Sequence, residues 1–148
     1  MDRITFIKTC SLACLGGSFL SSVLQGCSGT KMVHATIRGE NIELPLTEFT
    51  QVKKGNTTFR KYIVIQNEQL QYPVCVYRIS DTEYKALLMK CTHQGNELSV
   101  YGDKLHCAAH GSEFDKQGNA TIGPAVQPLR NFPVVIDNQI LLISLKAS

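Results

Sequence analysis

From residue 33 onward, short apolar runs alternate with turn-forming residues, and helical periodicity is almost absent. Residues 33–37 and 41–44 open this pattern, with Arg38-Gly39-Glu40 as a turn between them. Runs at 62–65, 74–79 and 84–89 follow, separated by Asn67, Pro73 and Asp81. Near the end, 132–136 and 139–145 flank Asp137-Asn138, which reads as a two-residue hairpin turn. Residues 45–49 suit one short helical turn. Strands at this spacing, without a long helix, predict an all-β fold: an antiparallel β-sandwich or barrel.

A length of 148 residues allows one domain with its own core, and the formal charge of +3 is mild. No basic run or aromatic-interleaved patch points to nucleic acid. The start of the chain has a different character. Arg3 and Lys8 precede an apolar stretch, 9–24, that is diluted by Ser and Gly and is short for a membrane span. It reads as an export signal. It ends in Leu24-Gln25-Gly26-Cys27, which resembles a bacterial lipobox. That resemblance implies a cleaved signal peptide over 1–26, a lipidated Cys27 and a tether over 27–32. The chain would then sit in the bacterial cell envelope, facing the periplasm or the outside. An uncleaved N-terminal anchor helix is the alternative. Residues 2–8 are also similar to a twin-arginine export signal, with Ile4 in place of the second arginine, so that route and the general one both stay open.

The densest chemistry lies in Cys91-Thr92-His93-Gln94-Gly95 and in Cys107-Ala108-Ala109-His110-Gly111-Ser112-Glu113-Phe114-Asp115. Each segment offers one thiolate and one imidazole, and thirteen residues separate His93 from Cys107. Two Cys and two His on two short loops can close around a metal centre. Each loop has a glycine just beyond its histidine, where a wrapping backbone needs positive φ or close approach. Zinc-finger spacing keeps like ligands together, whereas here they alternate Cys, His, Cys, His. The alternation resembles the Rieske [2Fe–2S] motif, in which two Cys hold one iron and two His the other. The run His110-Gly111-Ser112-Glu113-Phe114-Asp115 is similar to that family's H-G-S-x-[YF]-D. Gly123-Pro124-Ala125 with Pro128-Leu129 resembles its cluster-covering proline loop.

This resemblance implies one [2Fe–2S] cluster held by Cys91, His93, Cys107 and His110. It also implies a Rieske domain over 33–148, with a base of 33–90 and 124–148 and a small cluster-binding lobe, 91–123, inserted between base strands. Ser112 stands where high-potential members place a hydroxyl that donates toward a bridging sulfide and tunes the potential. Partial exposure is expected to keep that effect small. Phe114 replaces their tyrosine, and Asn96 and Ala109 replace the cysteines of their disulfide. Cys75, in an apolar run, is expected to be a buried free thiol.

A second iron site of the oxygenase kind is not expected, because only His34 and His106 remain. No haem, dinucleotide or P-loop motif is present. The reading is a membrane-tethered Rieske protein, not an enzyme by itself, that passes single electrons between redox proteins. Cytochromes, quinol-linked complexes and oxidoreductases are the partner classes. The alternatives are the Rieske subunit of a quinol-oxidising cytochrome complex or of a periplasmic molybdenum oxidase, and a zinc-stabilised binding module.

Overall fold

The computed structural model describes residues 29–146, so the expected signal 1–26, with Cys10 and Cys14, and the expected lipid site Cys27 lie outside the described residues. The first eight strands are β1 (Met32–His34), β2 (Thr36–Arg38), β3 (Asn41–Pro45), β4 (Thr50–Lys53), β5 (Asn56–Phe59), β6 (Tyr62–Gln66), β7 (Val74–Arg78) and β8 (Tyr84–Leu88). Then come β9 (Ser99–Tyr101), β10 (Lys104–His106), β11 (Glu113–Asp115), β12 (Ala120–Ile122), β13 (Asn131–Phe132), β14 (Val134–Asp137) and β15 (Ile140–Ser144). A 3₁₀ turn, Leu46–Phe49, stands where the sequence predicts a helical turn. Among the described residues no helix is long and apolar enough to cross a membrane.

Three sheets matter for the site: a five-stranded one in the order β1-β6-β7-β8-β13, a four-stranded one in the order β14-β15-β3-β2, and a four-stranded one in the order β12-β11-β10-β9. Pairing is antiparallel except between β1 and β6, which run parallel. The fold is all-β, as the alternation predicts.

The five-stranded sheet is buried on both faces, which is why β6, β7 and β8 read as nearly continuous apolar runs. Successive side chains on a strand point to opposite faces. Ile63, Ile65, Val74, Val76 and Ala86 therefore share one core with Ile42, Leu44, Leu141 and Ile143 of the β14-β15-β3-β2 sheet. Val64, Cys75, Tyr77 and Leu87 share a second core with Leu105 and Phe114 of the β12-β11-β10-β9 sheet. The five-stranded sheet thus lies between the other two.

Two predicted strands are each split between sheets. The run 33–37 breaks at Ala35: β1 pairs with β6, and β2 pairs with β3. The Asn67 side-chain amide donates to the Ala35 carbonyl at 2.9 Å and holds the crossover. The run 132–136 breaks at Pro133, which has no N–H for a ladder; β13 pairs with β8, and β14 pairs with β15.

One predicted turn is displaced by a residue. Asp137 pairs with Ile140, so the loop is Asn138-Gln139, not Asp137-Asn138. Both loop residues have positive φ, 45° and 66°, as a tight hairpin requires. The β4–β5 hairpin was not foreseen, because its residues are mostly polar and its two large apolar side chains, Val52 and Phe59, are exposed.

Asn67→Ala leaves the carbonyl of buried Ala35 without its donor, so a loss of about 1–3 kcal/mol is expected. Thermal unfolding checks this; an unchanged midpoint would show that water takes over the bond.

Candidate metal centre

Strand alternation aims both candidate thiols inward. Leu87, Met89 and Cys91 are two residues apart along the extension of β8, and all three belong to the second core. Leu105 and Cys107 stand in the same relation on β10. Cys91 is 1% and Cys107 0% exposed, and neither forms a disulfide. His106, between Leu105 and Cys107, falls on the other face, as alternation requires. It lies half-buried, 3.7 Å from Glu113, whose other oxygen receives Lys104 at 2.5 Å.

The two loops have the same backbone design. In the first, the Cys91 N–H donates to the Asn96 carbonyl (2.8 Å), and the Gly95 N–H returns to the Cys91 carbonyl (2.9 Å). In the second, the Cys107 N–H donates to the Ser112 carbonyl and the Gly111 N–H to the Cys107 carbonyl, both at 2.8 Å. Each is a six-residue hairpin loop with cysteine first and glycine fifth. The glycines have φ of +77° and +79°, in the left-handed region that disfavours other side chains. Cross-strand pairs close each loop, Lys90 with Glu97 and His106 with Glu113.

The histidines occupy the third position of one loop and the fourth of the other. Both are exposed, and their rings meet edge to face with centroids 5.0 Å apart. The site is therefore polarised, with two thiols on an apolar floor and two imidazoles at the surface. Among the described residues no three His, Cys, Asp or Glu side chains converge on one ion. An open cavity of about 450 Å3 borders the first loop, with Lys90 and Arg130 on its wall beside His93.

The loop that follows the cis Gly123-Pro124 bond joins the two hairpins. Its Ala125 N–H donates to the Ser112 hydroxyl at 3.0 Å. Its Gln127 carbonyl accepts from the Thr92 hydroxyl at 2.7 Å. Tyr72 supports the first hairpin from outside by donating its hydroxyl to the Gly95 carbonyl at 2.8 Å. Ser112 is fully buried, not partly exposed, and Ala125 of this loop lies against its hydroxyl. Its hydroxyl proton finds no acceptor among the described residues. Asn96 and Ala109 are both exposed. Sequence reasoning did not identify Thr92 or Tyr72, since neither lies in a spacing that signals support of a loop.

Other candidates stay apart. His34 is exposed on β1. Cys75 is buried in β7 without a disulfide, and burial pushes its thiol up to about 12.

Residues 43–133 match the Rieske [2Fe–2S] domain family. Among solved structures, the cyanobacterial plasma membrane Rieske protein PetC3 from Synechocystis PCC 6803 is similar at 24% identity and a TM-score of 0.50, covering 57% of this chain and 86% of that one. A Sphingomonas yanoikuyae B1 ferredoxin is similar at 26% identity and a TM-score of 0.44, over 57% and 84% of the two chains. The ferredoxin of carbazole 1,9a-dioxygenase from Nocardioides aromaticivorans IC177 gives 24%, 0.45, 58% and 86% on the same measures. No curated protein matches significantly.

Asp115 braces the turn after β11: its carboxylate accepts from the backbone N–H groups of Gln117 and Asn119 and from the Asn119 amide, at 2.9–3.0 Å. Burial pulls its carboxyl up, but bonds from Asn119, Gln117 and Gly118 outweigh this and hold its pKa below the ordinary 3.8. A depressed carboxyl contributes stability above its unfolded value and loses it as pH falls through its folded value. Asp115→Ala is expected to lower stability at neutral pH and to flatten the stability profile below about pH 4. Denaturant titrations across pH 2–6 check this; parallel profiles would show that Asp115 is not the group responsible.

Proposed function

The chain belongs to the Rieske [2Fe–2S] domain family, and from that premise we propose that it is a tethered one-electron carrier between redox proteins of the bacterial envelope. Electron transfer through one [2Fe–2S] cluster follows from the family, and the zinc alternative gives way to that cofactor. The residue assignment, the tether and the partner classes are our own reading.

We assign Cys91 and Cys107 to one iron, and His93 and His110 to the other. The observation that carries the reading is the polarised site: two free, buried thiols beneath two exposed imidazoles in edge-to-face contact. The donor set fits the cluster, with soft thiolates gathered on the dry side and imidazoles on the wet side. The Ser112 proton, without a protein acceptor among the described residues, fits a buried sulfide. When bound, a cluster with two thiolates and two neutral imidazoles exchanges one electron from a core of zero net charge, which places the family at about −150 to +300 mV.

The chain's own residues would do the rest. His93 and His110 offer the exposed edge through which an electron reaches a docked protein. Lys90 and Arg130 put positive charge beside His93 and favour an acidic partner face. The proline loop keeps water off the thiol side by closing Ala125 and Leu129 over it. Cytochromes, quinol-linked complexes and oxidoreductases are the donors and acceptors we propose. A signal over 1–26 and lipidation of Cys27 would hold the carrier at the membrane.

The Ser112 hydroxyl supplies a charge-assisted bond of about 1.5–3 kcal/mol, and one electron shifted by 1.4 kcal/mol corresponds to about 59 mV. Because Ser112 is fully buried, its effect should not be confined to the small end of that range. Ser112→Ala is expected to lower the potential by about 60–130 mV in voltammetry. An unchanged potential would mean that the hydroxyl does not point at the cluster.

Cys27→Ser is expected to give an unprocessed precursor or a soluble product, whereas the native membrane protein starts at an acylated Cys27. Mass spectrometry decides this; intact residues 1–26 on the native membrane protein would remove the lipobox reading.

A further inference from the structure

The end of β10 opposite Cys107 has a different chemistry. A cavity of about 490 Å3 lies there, with Lys31, Lys53, Phe59, Arg60, Lys61 and Tyr62 on its walls. Its other edge is Gly102-Asp103, the turn that leads into β10. Since β10 runs from that turn toward Cys107, the cavity and the two imidazoles sit at opposite ends of the strand.

The β4–β5 hairpin forms one side of this end and pairs with no other strand. Val52 is 71% and Phe59 53% exposed on it. Its tight turn, Lys54-Gly55, places Lys54 beside Lys53 at the exposed tip. Lys31 and Lys61 are paired with Glu48 and Asp103, at 2.7 and 3.4 Å. Among the described residues, Lys53, Lys54 and Arg60 form no ion pair, and the buried Arg60 Nε has no hydrogen-bond partner. Val52 and Phe59 thus share the hairpin with Lys53, Lys54 and the neighbouring Arg60, three cations without a paired carboxylate among the described residues, while Arg78 over the Phe59 ring is paired with Asp81.

The tether reading, with Cys27 lipidated, says what covers this face. Gly29 lines the same cavity, two residues after Cys27. Two Cα steps span at most about 7.6 Å. If Cys27 is acylated, the tether holds this face within roughly one Debye length, about 8–10 Å, of the lipid headgroups. Basic side chains at that distance are attracted to anionic lipid, and exposed apolar ones reach the headgroup–acyl boundary.

We propose that this end of the domain docks on an anionic phospholipid surface. Val52 and Phe59 enter the interface, while Lys53, Lys54 and Arg60 meet lipid phosphates. The lipid on Cys27 fixes the distance and the hairpin fixes the orientation, so that His93 and His110 face away from the bilayer surface, where partner proteins reach them. The proposal rests on the tether reading given above.

The chain contains no tryptophan, so a single introduced one reports on its own surroundings. Full-length processed protein carrying Val52→Trp is bound to phosphatidylcholine vesicles, with or without phosphatidylglycerol, whose acyl chains are brominated. The expected result is blue-shifted Trp emission that brominated chains quench in the anionic vesicles. Lys53→Glu with Lys54→Glu, at the exposed end of β4 and in the turn after it, should abolish the quenching while the protein still sediments with the vesicles. A tryptophan at exposed Val126, beside the metal loops, should stay unquenched. Sedimentation without quenching at residue 52, or quenching at 126 instead, overturns the docking and leaves the tether standing. Quenching at 52 that survives charge reversal overturns the part assigned to the lysines. Protein that stays in the supernatant with both kinds of vesicle overturns the tether and the docking with it.

Discussion

The structure depends on one sheet having both of its faces buried. β6, β7 and β8 alternate apolar side chains to two cores, and neither core closes without them. One face carries the sheet that completes the sandwich. The other carries the small sheet from which the second metal loop springs, and the first loop leaves the end of β8 itself. Cys91 and Cys107 therefore belong to the core by strand register. The thiols are placed by the same hydrophobic burial that stabilises the domain, so the site is rigid where its candidate ligands are deepest.

A second constraint is that two hairpin loops must be held together without a covalent bridge. Cys91, Cys107 and Cys75 are all free, so no disulfide among the described residues does this. The loop around Pro124 does the joining, through Ala125 to the Ser112 hydroxyl and through Gln127 to the Thr92 hydroxyl. Ser112 has two uses in this arrangement. Its oxygen accepts a backbone N–H, which ties the loop down, and its proton, without an acceptor among the described residues, is the one we propose for the cluster. Packing and tuning thus meet in one buried hydroxyl.

Much of this was legible in the sequence, for identifiable reasons. Continuous apolar runs such as 74–79 announced buried strands, and the glycines of the two loops announced positive φ, which Gly95 and Gly111 adopt at +77° and +79°. The family was carried by the order of Cys and His together with H-G-S-x-F-D. What the sequence hid was connection across distance. Residues 33–37 read as one strand, but Ala35 and its bond from Asn67 divide the run between two sheets. The strands of the small sheet are three residues long, too short to show a period. Burial of Ser112 depends on Ala125, thirteen residues away, and no local pattern reveals that. The β4–β5 hairpin was missed because it is polar, with its apolar side chains facing outward.

The central claim is that two pairs of unlike donors hold a two-iron cluster. Electron paramagnetic resonance of the reduced protein, combined with iron and sulfide analysis, tests it most directly. The account predicts two iron and two labile sulfide per chain, a Rieske-type signal in the wild type, and a signal lost or converted in His93→Cys. A colourless protein with one zinc per chain and no signal would contradict it.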